Sequence, residues 1–270
     1  MKRQTPVLSN NKGFSLIELV AVIVILGVLG IATSKFIVFG TELYIQATDR
    51  QHVLSKSRFL VERLTRGIRE SIPSSVQTNA NGDCIRFVPI KGSGAYRSDS
   101  SAITPPFAPA TGNQIDVVSW NGNYQSGDQF FIYATEPSHI YGAGSYYAEI
   151  DSIAGSGPDY RLTFRDTESF PSESPNKRYY TGDKVVIYCV FNGNAYRYIR
   201  NSINDTFPPP IFSAISGVAM TQGIENDLST EPPFRYEEGA LFRNAVVNIY
   251  LEFNANQDEN MFFNQEVHIP

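Results

Sequence analysis

Leu19 to Ala32 is a run of fourteen residues without a polar side chain, and it dominates the hydrophobic pattern of the chain. Counting from Phe14 to Thr33 gives 20 residues, about 30 Å of helix at about 1.5 Å per residue, enough to cross a bilayer core. Thr33, Ser34 and Lys35 interrupt the apolar run. Amphipathic spacing then resumes: Val53, Leu60, Leu64, Ile68 and Ile72 follow one another at steps of 7, 4, 4 and 4 and share one helical face. Arg58, Glu62, Arg63, Arg66, Arg69 and Glu70 stand between them and read as a solvated face. Pro73 restricts the residue before it to extended backbone and closes the helix. The pattern therefore predicts one helix from about Phe14 to about Ser71, far longer than the globular average.

Beyond Pro73 the period changes from helical to alternating. Short β-branched and aromatic runs are separated by Gly, Pro, Asn, Asp and Ser. Eight strands are expected: CIRFVPI from Cys84, IDVVSW from Ile115, QFFIYA from Gln129, YRLTF from Tyr160, KVVIYCVF from Lys184, AYRYI from Ala195, AVVNIYLEF from Ala245 and FFNQEVHI from Phe262. Asn192-Gly193 inside VFNGNAYRY is a tight-turn signal for a hairpin. NANQDEN is expected to join the last two strands. No second helix is convincing, so the fold class is α+β: a long N-terminal helix and an antiparallel β head. The longest turns, KGSGAYRSDSSAITPPFAPATGN, TEPSHIYGAGS, ESFPSESPNKRYY and STEPPFRYEEG, are rich in Tyr, Phe, Asn and Ser. That content suits protein or carbohydrate contact and equally suits plain surface loops.

Composition narrows the class. With 270 residues, 42% hydrophobic and 13% aromatic, the chain is long enough for a globular core plus the terminal helix. Its formal net charge is −5, and the first thirteen residues hold Lys2, Arg3 and Lys12 without an acid, so the remainder is more acidic still. That excludes a surface built to neutralise nucleic-acid phosphates. Two cysteines, Cys84 and Cys189, are too far apart for a CxxC pair or a four-ligand zinc site. Outside the cytoplasm they are able to close one disulfide; otherwise they are two buried thiols in strand-like surroundings.

One residue does not fit the apolar run. Glu18 precedes it directly, with Leu16 and Ile17 on its other side. A charge at the centre of a membrane helix costs about 2.5 to 3.5 kcal/mol on insertion scales, and less near an end. A secretory signal peptide, with Ala32 and Ser34 as small residues near a cleavage site, leaves Glu18 unexplained. A plain signal anchor leaves it unexplained as well.

The string KGFSLIELV resembles the processing site of type IV prepilins, residue for residue. In that family a short basic leader ends in glycine, and the mature chain begins with an N-methylated phenylalanine and has glutamate as its fifth residue. The resemblance implies a leader over residues 1–13, cleavage by prepilin peptidase between Gly13 and Phe14, N-methylation of Phe14, and Glu18 as the fifth mature residue. Cleavage creates an α-amine with an ordinary pKa of about 7.7 to 8.0, largely protonated near neutral pH. Glu18 then supplies the countercharge, within the chain or to Phe14 of a neighbouring subunit. A buried pair of this kind acts on register, because a slipped subunit buries both charges unpaired. Gly13, lacking a side chain, lets extended backbone enter the peptidase site.

The resemblance also implies an architecture: a helix over 14–72, its transmembrane half about 14–39 and its amphipathic half about 40–72, packed on an antiparallel β head over 73–270. Major pilins carry a proline where this chain has Lys35, and the chain is large for a subunit that tiles a filament; both features point to a minor pilin. RFLVERLTRGIRESIPSSV and the closing QEVHIP are similar to the large minor pilins of the mannose-sensitive haemagglutinin (MSHA) pilus, and more loosely to J-type minor pseudopilins of type II secretion. The implied role is structural: assembly initiation, at the filament tip, with other minor and major pilins and the inner-membrane assembly platform. Before assembly the helix would sit in inner-membrane lipid with the head in the periplasm; afterwards the subunit would be in the surface filament. A tip adhesin binding a surface glycan is a further reading.

Catalytic patterns are sparse. His52, His139 and His268 lie in separate segments without HExxH spacing. KGSGAYR lacks the GK[ST] ending of a phosphate loop, and GSGP is not a GxSxG elbow. NANQDEN offers some oxygen ligands for calcium, though a solvated hairpin is the default. No enzyme activity, cofactor or metal site is expected.

Overall fold

The computed structural model describes residues 13–99, 103–118, 120, 125–142, 146–156, 159–203, 207–208, 217–239, 244–256 and 259–269. One helix, α1, runs without interruption over Leu16–Arg69. The polar break at Thr33 and Ser34 does not stop it, because both hydroxyls donate within the helix: Thr33 Oγ1 to the Leu29 carbonyl at 2.9 Å and Ser34 Oγ to the Ile31 carbonyl at 3.0 Å. Thr41 and Thr48 do the same to Val38 and Tyr44, so these hydroxyls need no water. The helix ends three residues before Ile72, where Ser71 Oγ donates to the Ile68 carbonyl at 2.6 Å and Ile72 N–H pairs with Val88.

The chain divides into two compact units, Met1–His52 and Val53–Pro270. Among the described residues the first holds the N-terminal part of α1, and large apolar side chains there are exposed from Phe14 to Ile45. This is the one helix among the described residues long and apolar enough to cross a membrane.

Among the described residues the second unit contains the end of α1 and fourteen strands. In chain order these are β1 Gln77–Thr78, β2 Cys84–Phe87, β3 Gly92–Tyr96, β4 Gly112–Val118 and β5 Gln129–Ile132, then a short helix α2, Pro137–Tyr141, followed by β6 Tyr147–Ser156, β7 Asp159–Glu168 and β8 Arg178–Gly182. The chain continues with β9 Val185–Phe191, β10 Asn194–Arg200, β11 Val218–Gln222, β12 Phe234–Glu237, β13 Val246–Asn256 and β14 Glu259–His268. All eight expected strands are present. The segments expected as long turns contain more order than the sequence suggested: β3, α2, the start of β8 and β12 lie inside them. The expectation of no second helix is corrected by α2, a single turn opened by Pro137, where a missing N–H costs nothing.

The strands form three sheets, and every ladder is antiparallel. A five-stranded sheet has the order β1-β2-β9-β10-β11, a three-stranded sheet the order β12-β13-β14, and a six-stranded barrel closes as β3-β4-β7-β6-β5-β8. Asn192 and Gly193 both take positive φ, 48° and 71°, and join β9 to β10 as the two-residue hairpin the sequence signalled.

Packing follows from side-chain period. Leu60, Leu64 and Ile68 of α1 are buried with Ile85, Phe87, Val186 and Tyr188 of the five-stranded sheet and with Val247, Ile249 and Leu251 of the three-stranded sheet. The charged residues interleaved on the helix stay exposed. Gly67 permits the approach: a Cβ there would fall 2.8 Å from the ring of Phe87. Strand β9 is buried on both faces. Val186, Tyr188 and Val190 face the helix core, while Val185, Ile187 and Cys189 join a second cluster with Ile72, Phe131 and Ile140. The barrel interior is a third cluster, built on Phe130, Phe164, Phe170 and Tyr179.

The barrel is an insertion into the sheet. Strand β2 precedes it and β9 follows it, and the two pair with Cys84 directly opposite Cys189. The sulfurs are bonded, closing a segment of 105 residues around the whole barrel. Lys91 and Asp183 flank its entry and exit. Lys91 Nζ lies 2.8 Å from buried Asp128 and 3.5 Å from Asp183, so a three-charge cluster holds the two chain passages together.

Candidate assembly site

Gly13, Phe14 and Ser15 precede the first turn of α1. Gly13 has open space where a side chain would be. Phe14 is 77% exposed. Ser15 caps the helix: its hydroxyl accepts the backbone N–H of Glu18 at 3.3 Å, while its carbonyl accepts the N–H groups of Glu18 and Leu19 at 3.1 and 3.2 Å. Ser15-Leu16-Ile17-Glu18 is thus the S-x-x-E spacing of a capping box, with the serine half formed. Sequence reasoning passed over this signal, which was readable from the spacing alone. It gives Glu18 a second physical reason to stand here, since an acid in the first turn also opposes the positive end of the helix dipole.

From Leu16 onward the helix presents unpartnered apolar surface, including Leu19, Ile23, Leu26 and Phe39. A continuous apolar surface of this length requires lipid or other apolar helices around it. The basic residues Lys2, Arg3 and Lys12 lie outside the described residues.

The other residues singled out by sequence are dispersed. His52 is on α1, His139 on α2 and His268 on β14. His139 is structural: its Nδ1 accepts the Thr135 N–H at 3.2 Å, which leaves Nε2 facing Glu136 at 3.0 Å, and its ring stacks on Tyr146. No group of three or more His, Cys, Asp or Glu is placed to hold a metal among the described residues. Gln257 and Asp258 of NANQDEN lie outside them.

Buried polar groups in the head support the fold. Arg86 of β2 places its guanidinium 3.6 Å from the ring of Tyr141 and 4.5 Å from that of Phe207. Its Nε and Nη2 both donate to Gln77 Oε1, at 2.9 and 2.5 Å. Burial pushes the Tyr141 phenol up, and its hydroxyl donates to the Ser75 carbonyl at 2.5 Å. Burial likewise pushes Tyr96 and Tyr179 up to about 12.

Comparison with known families matches the prokaryotic N-terminal methylation motif to residues 8–34. The match spans the Gly13-Phe14 junction, Ser15, Glu18 and the apolar run. No curated protein and no solved structure matches the chain. The motif and the long apolar helix in front of an antiparallel β head support a type IV pilin-like protein, a pilin or pseudopilin precursor. Processing by prepilin peptidase and assembly with other pilins go with that class, and the helix suits membrane anchoring.

Proposed function

We propose that this chain is a minor pilin of a type IV pilus of the MSHA type, acting structurally in the initiation of filament assembly. Prepilin peptidase cuts between Gly13 and Phe14 and methylates the new amine. The methylated Phe14 and Glu18 then fix the axial register of the helix among its neighbours. Before assembly the apolar half of α1 is held in the inner membrane with the head on the periplasmic side, an oxidising compartment that suits the Cys84–Cys189 bond. The observation that carries the reading is the placement of the methylation motif across the start of a long, exposed apolar helix.

A minor subunit that starts filaments controls their number. Deleting the chain is expected to lower the number of pili per cell while leaving the length of each remaining filament unchanged. Unchanged pilus number, with loss of protein export through the outer membrane, would transfer the chain to the pseudopilins, which share the motif.

A further inference from the structure

Two of the three sheets are open, and their edge strands differ in kind. At the ends of the five-stranded sheet, β1 is two residues long, and β11 is five residues long with a register shift in its ladder. In the three-stranded sheet β12 has four residues, whereas β14 has ten, Glu259–His268, and pairs with β13 alone. Proline, lysine, bulges and shortness are the usual means of blunting an exposed edge. Strand β14 contains no proline and no lysine, and its register with β13 is regular from Asn260 to His268. The register also fixes which backbone groups face outward. Ile269 N–H donates to the Ala245 carbonyl at 2.9 Å, so the odd-numbered residues of β14 turn their N–H and C=O groups to β13. Those of Asn260, Phe262, Asn264, Glu266 and His268 point away from the sheet and have no backbone partner among the described residues. One is covered from within the strand: Gln265 Nε2 donates to the Glu266 carbonyl at 2.8 Å, as an N–H of a further strand would.

A groove of about 410 Å³ runs beside this edge, between Gln265 and the flank of α1 that carries Val61, Glu62, Thr65, Arg66, Arg69 and Glu70. Gln265 lies on the core-facing side of β14 yet is exposed, while Val267, two residues on and on the same side, is fully buried. The sheet stops one strand short of covering this flank of the helix. Thr65 marks the gap. Its Oγ1 is buried and has no hydrogen-bond partner, although Thr33, Thr41 and Thr48 all donate back to carbonyls of the same helix. A buried hydroxyl left unpaired is a cost that a neighbouring donor or acceptor removes.

We propose that the outer edge of β14 accepts an extended segment of a different pilin subunit, which adds to the three-stranded sheet as a fourth strand and lies in the groove against α1. Only another extended backbone presents donors and acceptors in the alternation that the outward groups of Phe262, Asn264, Glu266 and His268 require. Alternate side chains of the added strand fall on the α1 side, where Val61 and Thr65 call for small apolar or hydroxyl-bearing groups. Glu62 and Glu70 balance Arg66 and Arg69, so the groove selects by shape and pairing and not by net charge. Resting on the pilin-like class alone, this role is independent of the pilus type.

The test uses the full-length chain in its own cells, with a photo-crosslinking benzophenone residue at position 266 and the N-terminus of the recovered protein determined by mass. In chains that begin at Phe14, an adduct to a strand-forming segment of another protein with the methylation motif is expected. Asn264→Pro removes one outward N–H and leaves the ladder with β13 intact, so Tm should hold while the adduct falls at least about tenfold. Hydrogen exchange on the parent protein gives a second reading that does not depend on the variant folding: the amides of Phe262, Asn264 and Glu266 should exchange fast in the isolated chain and at least about tenfold more slowly in the complex with the crosslinked partner. No adduct in correctly processed chains, an adduct to a second copy of this chain or to a protein without the motif, a yield unmoved by a folded Asn264→Pro, or outward amides unprotected in the complex would overturn the proposal. Chains that keep residues 1–13 would instead overturn the pilin class on which it rests.

Discussion

Cys84 and Cys189 face each other across adjacent antiparallel strands and are bonded, and the segment between them contains the entire six-stranded barrel. The bond therefore constrains the unfolded chain through a loop of 105 residues. In the chain-entropy model such a loop is worth about 4 to 5 kcal/mol, and removal of a native disulfide costs about 2 to 5. Replacing both cysteines by serine is expected to lower the unfolding free energy of the head by that amount, read as a fall in its urea midpoint. A midpoint equal to that of the oxidised parent would contradict the account.

The seam between helix and sheets gives a sharper contrast. Leu64 is fully buried, whereas Arg63 beside it is exposed. Leu64→Ala is expected to cost about 2 to 5 kcal/mol through lost burial and a residual cavity, and Arg63→Ala less than about 1. Denaturant unfolding of the two variants tests whether the period-four stripe is the packed face.

Arg86 is held by its plane as much as by its charge. It lies against Tyr141 and Phe207 and sends two N–H groups to one Gln77 oxygen. Lysine keeps the charge but has neither the fork nor the flat face. Arg86→Lys is expected to destabilise the head by about 1 to 3 kcal/mol, read as a fall in Tm. An unchanged Tm would show that charge alone suffices.

Much of this architecture was readable in the sequence because its signals are local. The β-branched and aromatic run KVVIYCVF announced strand β9, Asn192-Gly193 announced its hairpin, and Leu60, Leu64 and Ile68 announced the packed helix face. The strands that escaped notice lack such signals. Strand β3 reads GSGAY, and Gly94 is there because a Cβ would fall 2.7 Å from the Tyr179 hydroxyl, a partner 85 residues on in the chain by numbering alone. Strands β8 and β12 carry their aromatics inside Pro-rich and charged stretches. Barrel closure, the pairing of β3 with β8, is a long-range property with no local mark. The residues proposed for assembly, Gly13, Phe14 and Glu18, stand out in the sequence because the motif that contains them is defined by spacing.

Alkaline pH should act through the buried tyrosines. Burial raises Tyr96 and Tyr179 to about 12 from an ordinary value of 10.0, so the unfolded chain ionises first. Their stabilising contribution is fully present below pH 10 and is lost as pH rises from about 10 to about 12. Circular dichroism is expected to show stability falling across that window. Tyr96→Phe should flatten the fall, and a decline that is the same in that variant and in Tyr179→Phe would assign it to other groups.

The central claim rests on Gly13, Phe14 and Glu18, and the N-terminus of the protein purified from membranes tests it most directly. Intact mass and terminal sequencing, with and without prepilin peptidase, are expected to give a chain beginning at N-methylated Phe14 only when the peptidase is present. A chain that begins near Lys35, or that keeps Met1 whether or not the peptidase is present, would contradict the account and leave Glu18 without its partner.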